Sequence, residues 1–382
     1  MNKYIIFGSP RIEKEEINSV ISTLKSSWIG TGPKTKLFEK KFSQFKKVKS
    51  SCAVNSCTAA LHLSLASLNL KKNDEVIVPA MTFCSTVNSV IISGAKPVLA
   101  DVNLSTMNIC PEEIKKKITK KTKAVIVVHF TGNPCDMDEI RRIVGKKIKI
   151  IEDCAHAIEG KFRGKPLGTI GDFGCFSFYA TKNLTTSEGG MVICKNKKYE
   201  KFIRQMSLHG LSADAWKRYS SSKVKKYYVN QLGFKYNMTD ISASLGLIQL
   251  SKINKFQNLR KKIWLNYNLS FKDLPLKIPS KTQKNYLHSH HLYTLIIDKK
   301  ISGISRDEFI SKLHKKKIGT GIHYLCIADH PFYKNKFKWK SKNYPNSKYI
   351  GDNIVSLPLS AKLSTKQVKY IIRTVRNVFF KQ

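Results

Sequence analysis

Short β-rich runs alternate with helical patterns through the first half of the chain, and this alternation constrains the fold more than any other feature. Helical patterns cover residues 12–24, 59–68, 85–93, 111–118, 137–144 and 239–250. Predicted strands cover residues 52–55, 75–79, 97–101, 124–129, 148–153, 175–178 and 191–194. Because strands that alternate with helices form βαβ units, the sequence predicts an α/β fold with a mostly parallel, seven-stranded sheet between helices.

The length of 382 residues exceeds what one hydrophobic core usually supports, so a large and a small domain are expected. The pattern changes from about residue 255. A loop rich in Pro, Lys and Ser precedes a predicted strand, helix, strand and terminal helix at residues 291–297, 306–315, 321–324 and 365–379. We predict a large α/β domain at residues 1–250 and a small C-terminal α+β domain at residues 251–382.

The net charge is unusual, because 68 basic residues oppose 26 acidic ones and give +42. A charge of this size first suggests binding to nucleic acid or to a membrane surface. However, only ten of the basic residues are arginines, whose planar guanidinium binds phosphate with better geometry than the lysine ammonium does. The lysines are also scattered in short runs, such as residues 115–117, 146–149 and 315–317. We interpret most of this charge as solvated surface and expect no nucleic-acid partner.

The cysteines and the apolar runs indicate the cellular compartment. Nine cysteines occur without a CxxC pair, as expected for reduced, mostly buried thiols, and no metal site is predicted. No secretory signal is visible, and no apolar run approaches the length of a bilayer span. The sequence therefore predicts a cytoplasmic protein without membrane insertion.

Polar residues follow two of the predicted strands. The turn Asn55-Ser56-Cys57-Thr58 leads into a helix, whose free N–H groups and positive dipole suit a phosphate. The strand ending at Asp153 brings a carboxylate to the sheet edge where ligands bind in open α/β sheets. Each feature alone is more often a helix cap or a surface charge.

The segment from Phe176 to Val192 is the most informative. A strand runs into a turn that contains Lys182, followed by a polar stretch, the pair Gly189-Gly190 and another strand. A lysine at a strand end near a phosphate site can form a Schiff base when burial lowers its pKa. Most lysines in so basic a chain are surface charges, so the neighbouring motifs carry the argument.

Taken together, these motifs resemble the DegT/StrS-type nucleotide-sugar aminotransferases, which are fold-type I enzymes dependent on pyridoxal 5'-phosphate (PLP). The resemblance runs from about Phe7 to the C-terminus. Within the family, the closest likeness is to the UDP-4-amino-4-deoxy-L-arabinose–oxoglutarate aminotransferases, through residues 209–215, 235–237, 304–307 and 318–321. The landmarks, in chain order, are residues 28–33, 56–61, 79–83, 129–134, 152–156, 177–190, 207–210, 235–240, 321–324 and 357–359.

By matched position, the resemblance implies a role for each motif residue. Lys182 would bind PLP covalently and then act as the catalytic acid and base, while Asp153 would pair with the protonated pyridine nitrogen. Phe83 would stack on the ring and His156 would lie near its phenolic oxygen. The implied phosphate ligands are Cys57, Thr58 and Ser177, and the implied substrate ligands are Thr31, His323 and His330.

The resemblance also implies a homodimer with shared active sites. Many relatives place an asparagine at the position of Lys235, where it reaches the cofactor phosphate of the neighbouring subunit; a lysine can bind phosphate as a point charge. Two positions depart from the family. Cys57 replaces a smaller residue, and Ala328 replaces a histidine, with His330 two residues further on, which leaves the identity of the sugar open.

The implied reaction transfers an amino group from L-glutamate to PLP and then to C4 of a nucleotide-linked keto sugar, for surface polysaccharide or lipid A biosynthesis. One alternative is a PLP-dependent sugar dehydratase, although such relatives lack the lysine that Lys182 provides. A second is a PLP enzyme for plain amino acids, which would generally need an arginine clamp. A third is a basic nucleic-acid-binding protein on the same scaffold, for which Asp153 and Lys182 would be unnecessary.

Overall fold

The computed structural model describes residues 3–212 and 227–380. Its main sheet has seven strands in the order β1-β9-β8-β5-β4-β2-β3. β9 is antiparallel to both neighbours, and the other neighbouring pairs are parallel. The predicted mostly parallel, seven-stranded sheet is therefore confirmed. Its strands are β1 (Cys52–Val54), β2 (Glu75–Pro79), β3 (Lys96–Ala100), β4 (Thr122–Val128), β5 (Lys149–Asp153), β8 (Phe173–Ser177) and β9 (Gly190–Cys194).

Helices cover the sheet and build the C-terminal part of the chain. Within the described residues, no helix is both long and apolar enough to span a bilayer. The helices are α1 (Lys14–Lys25), α2 (Pro33–Lys46), α3 (Cys57–Ala66), α4 (Cys84–Ile92), α5 (Pro111–Lys117), α6 (Met137–Val144), α7 (Lys197–Met206), α8 (Asp240–Ser251), α9 (Ile253–Phe271), α10 (Lys299–Ser302), α11 (Arg306–Lys315), α12 (Pro331–Phe337), α13 (Pro345–Asn353) and α14 (Thr365–Phe379).

The main sheet is buried on both faces. Along β4, Val125 and Val127 pack into one apolar cluster, whereas Ala124 and Ile126 pack into the other. Successive side chains of a strand point to opposite faces, so continuous apolar runs are what a doubly covered sheet requires. The carboxyl ends of the parallel strands are left free at one edge, where the site lies.

The C-terminal part surrounds a two-stranded antiparallel sheet of β11 (Tyr293–Ile296) and β12 (Ile354–Leu357). The strand predicted at residues 321–324 is wrong: Gly321 makes an isolated bridge to Ser356, and because the chain forms no further bridge to β12 over residues 322–324, no ladder develops. Ile5 bridges Ile318 and packs into this C-terminal core. The domain division at residue 250 stays a prediction. The remaining short strands are β6 (Lys161–Phe162), β7 (Lys165–Pro166) and β10 (Tyr286–Leu287).

The predicted amphipathic helix at residues 12–24 is present as α1, but its apolar face points outward. Ile17, Ile21 and Leu24 are 52%, 43% and 52% exposed. Their spacing of four and three residues places them on one stripe of the helix. The inner face is polar, since the buried carboxylate of Glu16 accepts a hydrogen bond from Gln249 of α8 at 2.9 Å. We call the three outward residues the α1 apolar face.

Candidate active site

A cavity of about 360 Å³ opens at the carboxyl ends of β1, β5 and β8. Loops that follow these strands supply most of its walls, which is the usual position of a ligand site in an open α/β sheet. The lining residues are Ser56, Cys57, Thr58, Thr82, Phe83, Ser85, Val128, Asp153, Ala155, His156, Ser177, Tyr179, Thr181, Lys182, Glu188, Gly189, His323 and Tyr324.

The N-terminus of α3 forms one end of the cavity. Ser56 caps the helix by accepting a hydrogen bond from the Ala59 N–H at 3.0 Å. Cys57 and Thr58 begin the first turn, where the helix itself offers no acceptor for the backbone N–H groups. A Cβ on Gly190 would lie 2.5 Å from the Ser56 carbonyl, so glycine lets β9 pack against this turn. The result is a small anion cradle.

The two acidic residues that end β5, Glu152 and Asp153, point to opposite sides of the strand. Asp153 faces the cavity, while Glu152 points to the other side of the strand, as the two-residue period requires. Glu152 accepts hydrogen bonds from the N–H groups of Gly168 at 2.7 Å and Gly171 at 2.6 Å, and lies 3.0 Å from His129 Nε2. These bonds occupy the Glu152 carboxylate in holding the turn before β8.

Asp153 is nearly buried and held by three donors. The Ala155 N–H donates to Oδ1 at 3.1 Å, and the Thr86 hydroxyl donates to Oδ2 at 3.0 Å. The Cys57 thiol lies 3.9 Å from Oδ1. Burial raises the pKa of Asp153, and the hydrogen bonds from Ala155 and Thr86 and the charge of Lys182 oppose that rise. The carboxylate is thereby fixed to receive a cationic partner.

Lys182 lies in a closed loop between β8 and β9. The backbone N–H of Lys182 donates to the Tyr179 carbonyl at 2.9 Å, and the backbone N–H of Phe178 donates to the Gly189 carbonyl at 2.8 Å. Burial lowers the pKa of Lys182 to about 8, against the opposing charge of Asp153. An amine with this pKa is neutral in a far larger fraction than an ordinary lysine, so it is a better nucleophile.

The rings of His156, His323 and Tyr324 form another wall of the cavity. His156 Nε2 lies 3.1 Å from the Tyr324 hydroxyl, and the two rings stack with centroids 6.0 Å apart. His323 Nδ1 lies 2.9 Å from the Ser356 hydroxyl. Burial lowers the pKa of both histidines, that of His323 to about 4, so both rings are neutral at pH 7. Phe83 stands at the mouth and is 54% exposed.

Three of the residues predicted for the site lie away from this cavity in the single chain. Thr31 donates its hydroxyl hydrogen to the Met238 carbonyl at 2.5 Å. Lys235 is exposed, and its carbonyl accepts a hydrogen bond from Asn55 at 3.2 Å. His330 begins α12 and packs against Tyr333. The structure brings together the other eight: Cys57, Thr58, Phe83, Asp153, His156, Ser177, Lys182 and His323.

Sequence reasoning missed two residues that shape the site. The Tyr324 hydroxyl lies within hydrogen-bond distance of His156. Its position directly after His323, within the motif at residues 321–324, could have identified it. Thr86 binds Asp153 and in turn lies 2.9 Å from the Thr82 hydroxyl. Thr86 and Thr82 are four residues apart at the start of α4, but nothing in the sequence relates that turn to the end of β5.

The cavity suits a planar aromatic phosphate ester. The cradle at the start of α3 offers N–H donors to a phosphate, and Asp153 can accept a hydrogen bond from a protonated ring nitrogen. Between them, Lys182 supplies an amine of lowered pKa for an aldehyde. His156 Nδ1 is buried and has no hydrogen-bond partner among the described residues, so one polar atom of the wall is free.

These features define a PLP-dependent enzyme of fold type I. The family model of the DegT/DnrJ/EryC1/StrS aminotransferases matches residues 10–376, and the chain belongs to that family. Its cofactor is therefore PLP, as the resemblance implied. The narrower likeness to the arabinose-type enzymes stays a prediction, and Asp214, one of its signals, lies outside the described residues.

Three similar proteins illustrate the relationship. Protein MJ1066 of Methanocaldococcus jannaschii, which is uncharacterized, is 45% identical over 97% of this chain and 96% of its own length. The spore coat polysaccharide biosynthesis protein SpsC of Bacillus subtilis is 41% identical over 99% and 97%. The solved PMP form of the putative sugar aminotransferase Spr1654 from Streptococcus pneumoniae has a TM-score of 0.91 and 34% identity, covering 98% of each chain.

Proposed function

We propose that this protein transfers an amino group from L-glutamate to a nucleotide-linked 4-keto sugar and so makes an amino sugar for a surface polysaccharide or lipid A. The observation that carries the proposal is the placement of Lys182 and Asp153 in one cavity beside the α3 cradle. Family membership and the sugar-related names of two similar proteins support a sugar as the acceptor. The presence of Lys182 favours transamination over dehydration.

Each wall of the cavity has a proposed task toward the cofactor. PLP, when bound, supplies an aldehyde and an electron-withdrawing ring. The N–H groups of Cys57 and Thr58, with the Ser177 hydroxyl, bind its phosphate. Asp153 would hold the proton on the ring nitrogen, and Lys182 would form the covalent link and afterwards move a proton between the substrate carbon and the cofactor carbon.

The remaining walls orient the ring and the sugar. Phe83 stands at the mouth and would cover one ring face, and the neutral His156 would lie near the phenolic oxygen. His323 lines the same wall and would contact the sugar.

We propose a homodimer in which Thr31, Lys235 and His330 complete the site of the partner subunit. Their separation from the cavity of their own chain is the first support. The second is exposed apolar surface: the α1 apolar face, and Leu232, which is 88% exposed three residues before Lys235. Exposed apolar surface often marks protein contacts.

The dimer is tested on the α1 apolar face. Ile21→Lys would place a charge within it and should shift the protein from dimer to monomer in sedimentation analysis. Ser22→Lys adds the same charge at an exposed neighbouring position and should leave the dimer intact. A dimeric Ile21→Lys protein would remove this face from the interface.

The reaction is tested with purified protein, L-glutamate and a panel of nucleotide-linked 4-keto sugars, with product masses measured. We expect one sugar to gain an amino group in exchange for its keto oxygen, and the Lys182→Ala protein to give no product. Amination of simple keto acids, without any sugar product, would show that the proposed substrate class is wrong.

A further inference from the structure

A chain of buried polar side chains runs behind Lys182, outside the cavity. Arg260 of α9 forms an ion pair with Glu159, and both are less than 5% exposed. The second Glu159 oxygen accepts a hydrogen bond from the Asn183 amide at 2.9 Å. Asn183 Oδ1 lies 3.0 Å from His291 Nδ1. Four segments distant in sequence therefore meet directly behind the lysine.

The hydrogen bonds of this buried polar chain determine where its hydrogens lie. The Asn183 NH₂ group contacts Glu159 Oε2 and, at 2.9 Å, the Ser289 carbonyl, and both of these groups can only accept. The Asn183 oxygen must then face His291, so His291 must donate from Nδ1. Burial also lowers the pKa of His291 well below its usual value, so the ring is neutral at pH 7 and is the Nδ1–H tautomer, with Nε2 unprotonated.

Two routes connect the buried polar chain to the cavity. Asn183 directly follows Lys182, so the position of its side chain constrains the backbone of the lysine. His291 packs against His156, with ring centroids 4.5 Å apart, and His156 lines the cavity. On its other side, His156 is held by the Tyr324 hydroxyl.

The buried ion pair between Arg260 and Glu159 is not expected to add much to the stability of the fold. Withdrawing both charges from water costs as much as their attraction returns, and apolar residues of similar size often replace such pairs without loss. What the pair provides is a fixed acceptor: Arg260 orients one Glu159 oxygen, which leaves the other aimed at Asn183. A network in which each group is fixed in this way specifies one geometry.

We propose that Arg260, Glu159 and Asn183 are positioning residues of the cofactor site, which hold the Lys182 turn and impose the Nδ1–H tautomer on His291 beneath His156. The inference depends on the cofactor site and not on the sugar or the amino donor. Its tests therefore read the histidine and the binding of PLP, and they remain informative if the proposed substrate is wrong.

The tautomer is measured by NMR on protein labelled with ¹⁵N in its ten histidines. The His291 signals are assigned by their loss in His291→Phe. We expect the Nδ1–H pattern in the wild-type protein, and Nε2–H or a mixture in Asn183→Ala. An Nε2–H pattern for His291 in the wild-type protein contradicts the proposal, whatever the stability of the variants.

The positioning effect is measured as the rate at which PLP develops its visible absorption on mixing with cofactor-free protein. We expect Asn183→Ala and Glu159→Gln to slow this step by about tenfold to 100-fold, the effect of displacing a reacting group by about 1 Å. Tyr267→Phe, which removes a buried hydrogen bond in the C-terminal core, is the stability control and should not slow it. Rates within twofold of wild type in both variants would contradict the positioning role of the buried polar chain.

Discussion

Replacing Asp153 by asparagine should move the pH profile of PLP capture by Lys182 to lower pH. Both side chains line one cavity, and burial lowers the pKa of Lys182 to about 8 while the Asp153 charge opposes that fall. Asp153 is the larger of the two charges that oppose burial, ahead of Cys57, so removing it lets the pKa of Lys182 fall further. Capture requires the neutral amine, and its midpoint must follow the pKa of the lysine.

The size of the effect has a ceiling. With a pKa of about 8, roughly 9% of Lys182 is neutral at pH 7, against about 0.03% for a lysine at the ordinary value of 10.5. Capture at pH 7 should therefore exceed that of an exposed lysine by about 300-fold from ionisation alone. The Asp153→Asn change can raise the neutral fraction from about 9% to 100%, a gain of no more than about 11-fold at pH 7, and almost none above pH 9.

The assay is stopped-flow absorption after mixing cofactor-free protein with PLP between pH 6 and 10. Free Nα-acetyl-lysine gives the unperturbed profile, and Asp172→Asn serves as a control because Asp172 pairs with Arg141 away from the cavity. While Asp153→Asn captures PLP faster at pH 7, it should transaminate more slowly, since the ring nitrogen loses its partner. A wild-type midpoint above pH 10, or an unmoved midpoint in Asp153→Asn, would refute the electrostatic reasoning.

Three further outcomes are expected. Lys182→Ala should lose the visible chromophore on gel filtration and at least about 100-fold in turnover, because the imine and the proton carrier are both removed; a variant that stays yellow and fully active contradicts the assignment. Gly190→Ala places a Cβ 2.5 Å from the Ser56 carbonyl and should lower the free energy of unfolding by about 1–3 kcal/mol in urea, whereas Gly30→Ala, with no atom within 4 Å of its Cβ, should not. Equal urea midpoints for the Gly190→Ala and Gly30→Ala proteins would show that the turn at the start of α3 shifts to accept the added Cβ at little cost. Lys235→Ala should weaken PLP binding in equilibrium titrations of the dimer, and an unchanged affinity would exclude Lys235 from the phosphate site.

The sheet and the covalent chemistry were predictable from local sequence. Strands such as β2 and β4 are largely apolar runs between helical patterns, and this arrangement has few packing solutions other than a doubly covered parallel sheet. Asp153 and Lys182 were identifiable because the motifs around them resemble those of a known family. Asp153 ends β5 and Lys182 follows the end of β8 in a loop, and the strand ends of a parallel sheet meet at one edge.

Other features depend on contacts between segments distant in sequence. An apolar stripe on a helix usually faces the core, yet α1 packs on α8 through Glu16 and leaves Ile17, Ile21 and Leu24 outside. The pattern shows which residues share a face of the helix, but the surface available to each face is decided only when the chain is packed.

The same limit applies to the groups behind the active site. In the sequence, Glu159 and Arg260 are a charge in a turn and a charge on a helix, 101 residues apart. Only tertiary packing withdraws both from water, pairs them, and leaves the second Glu159 oxygen to accept a hydrogen bond from Asn183. Local sequence determined which chemistry this protein can carry, and tertiary packing decided which polar groups hold it in place, because burial and hydrogen-bond partners are properties of the packed chain.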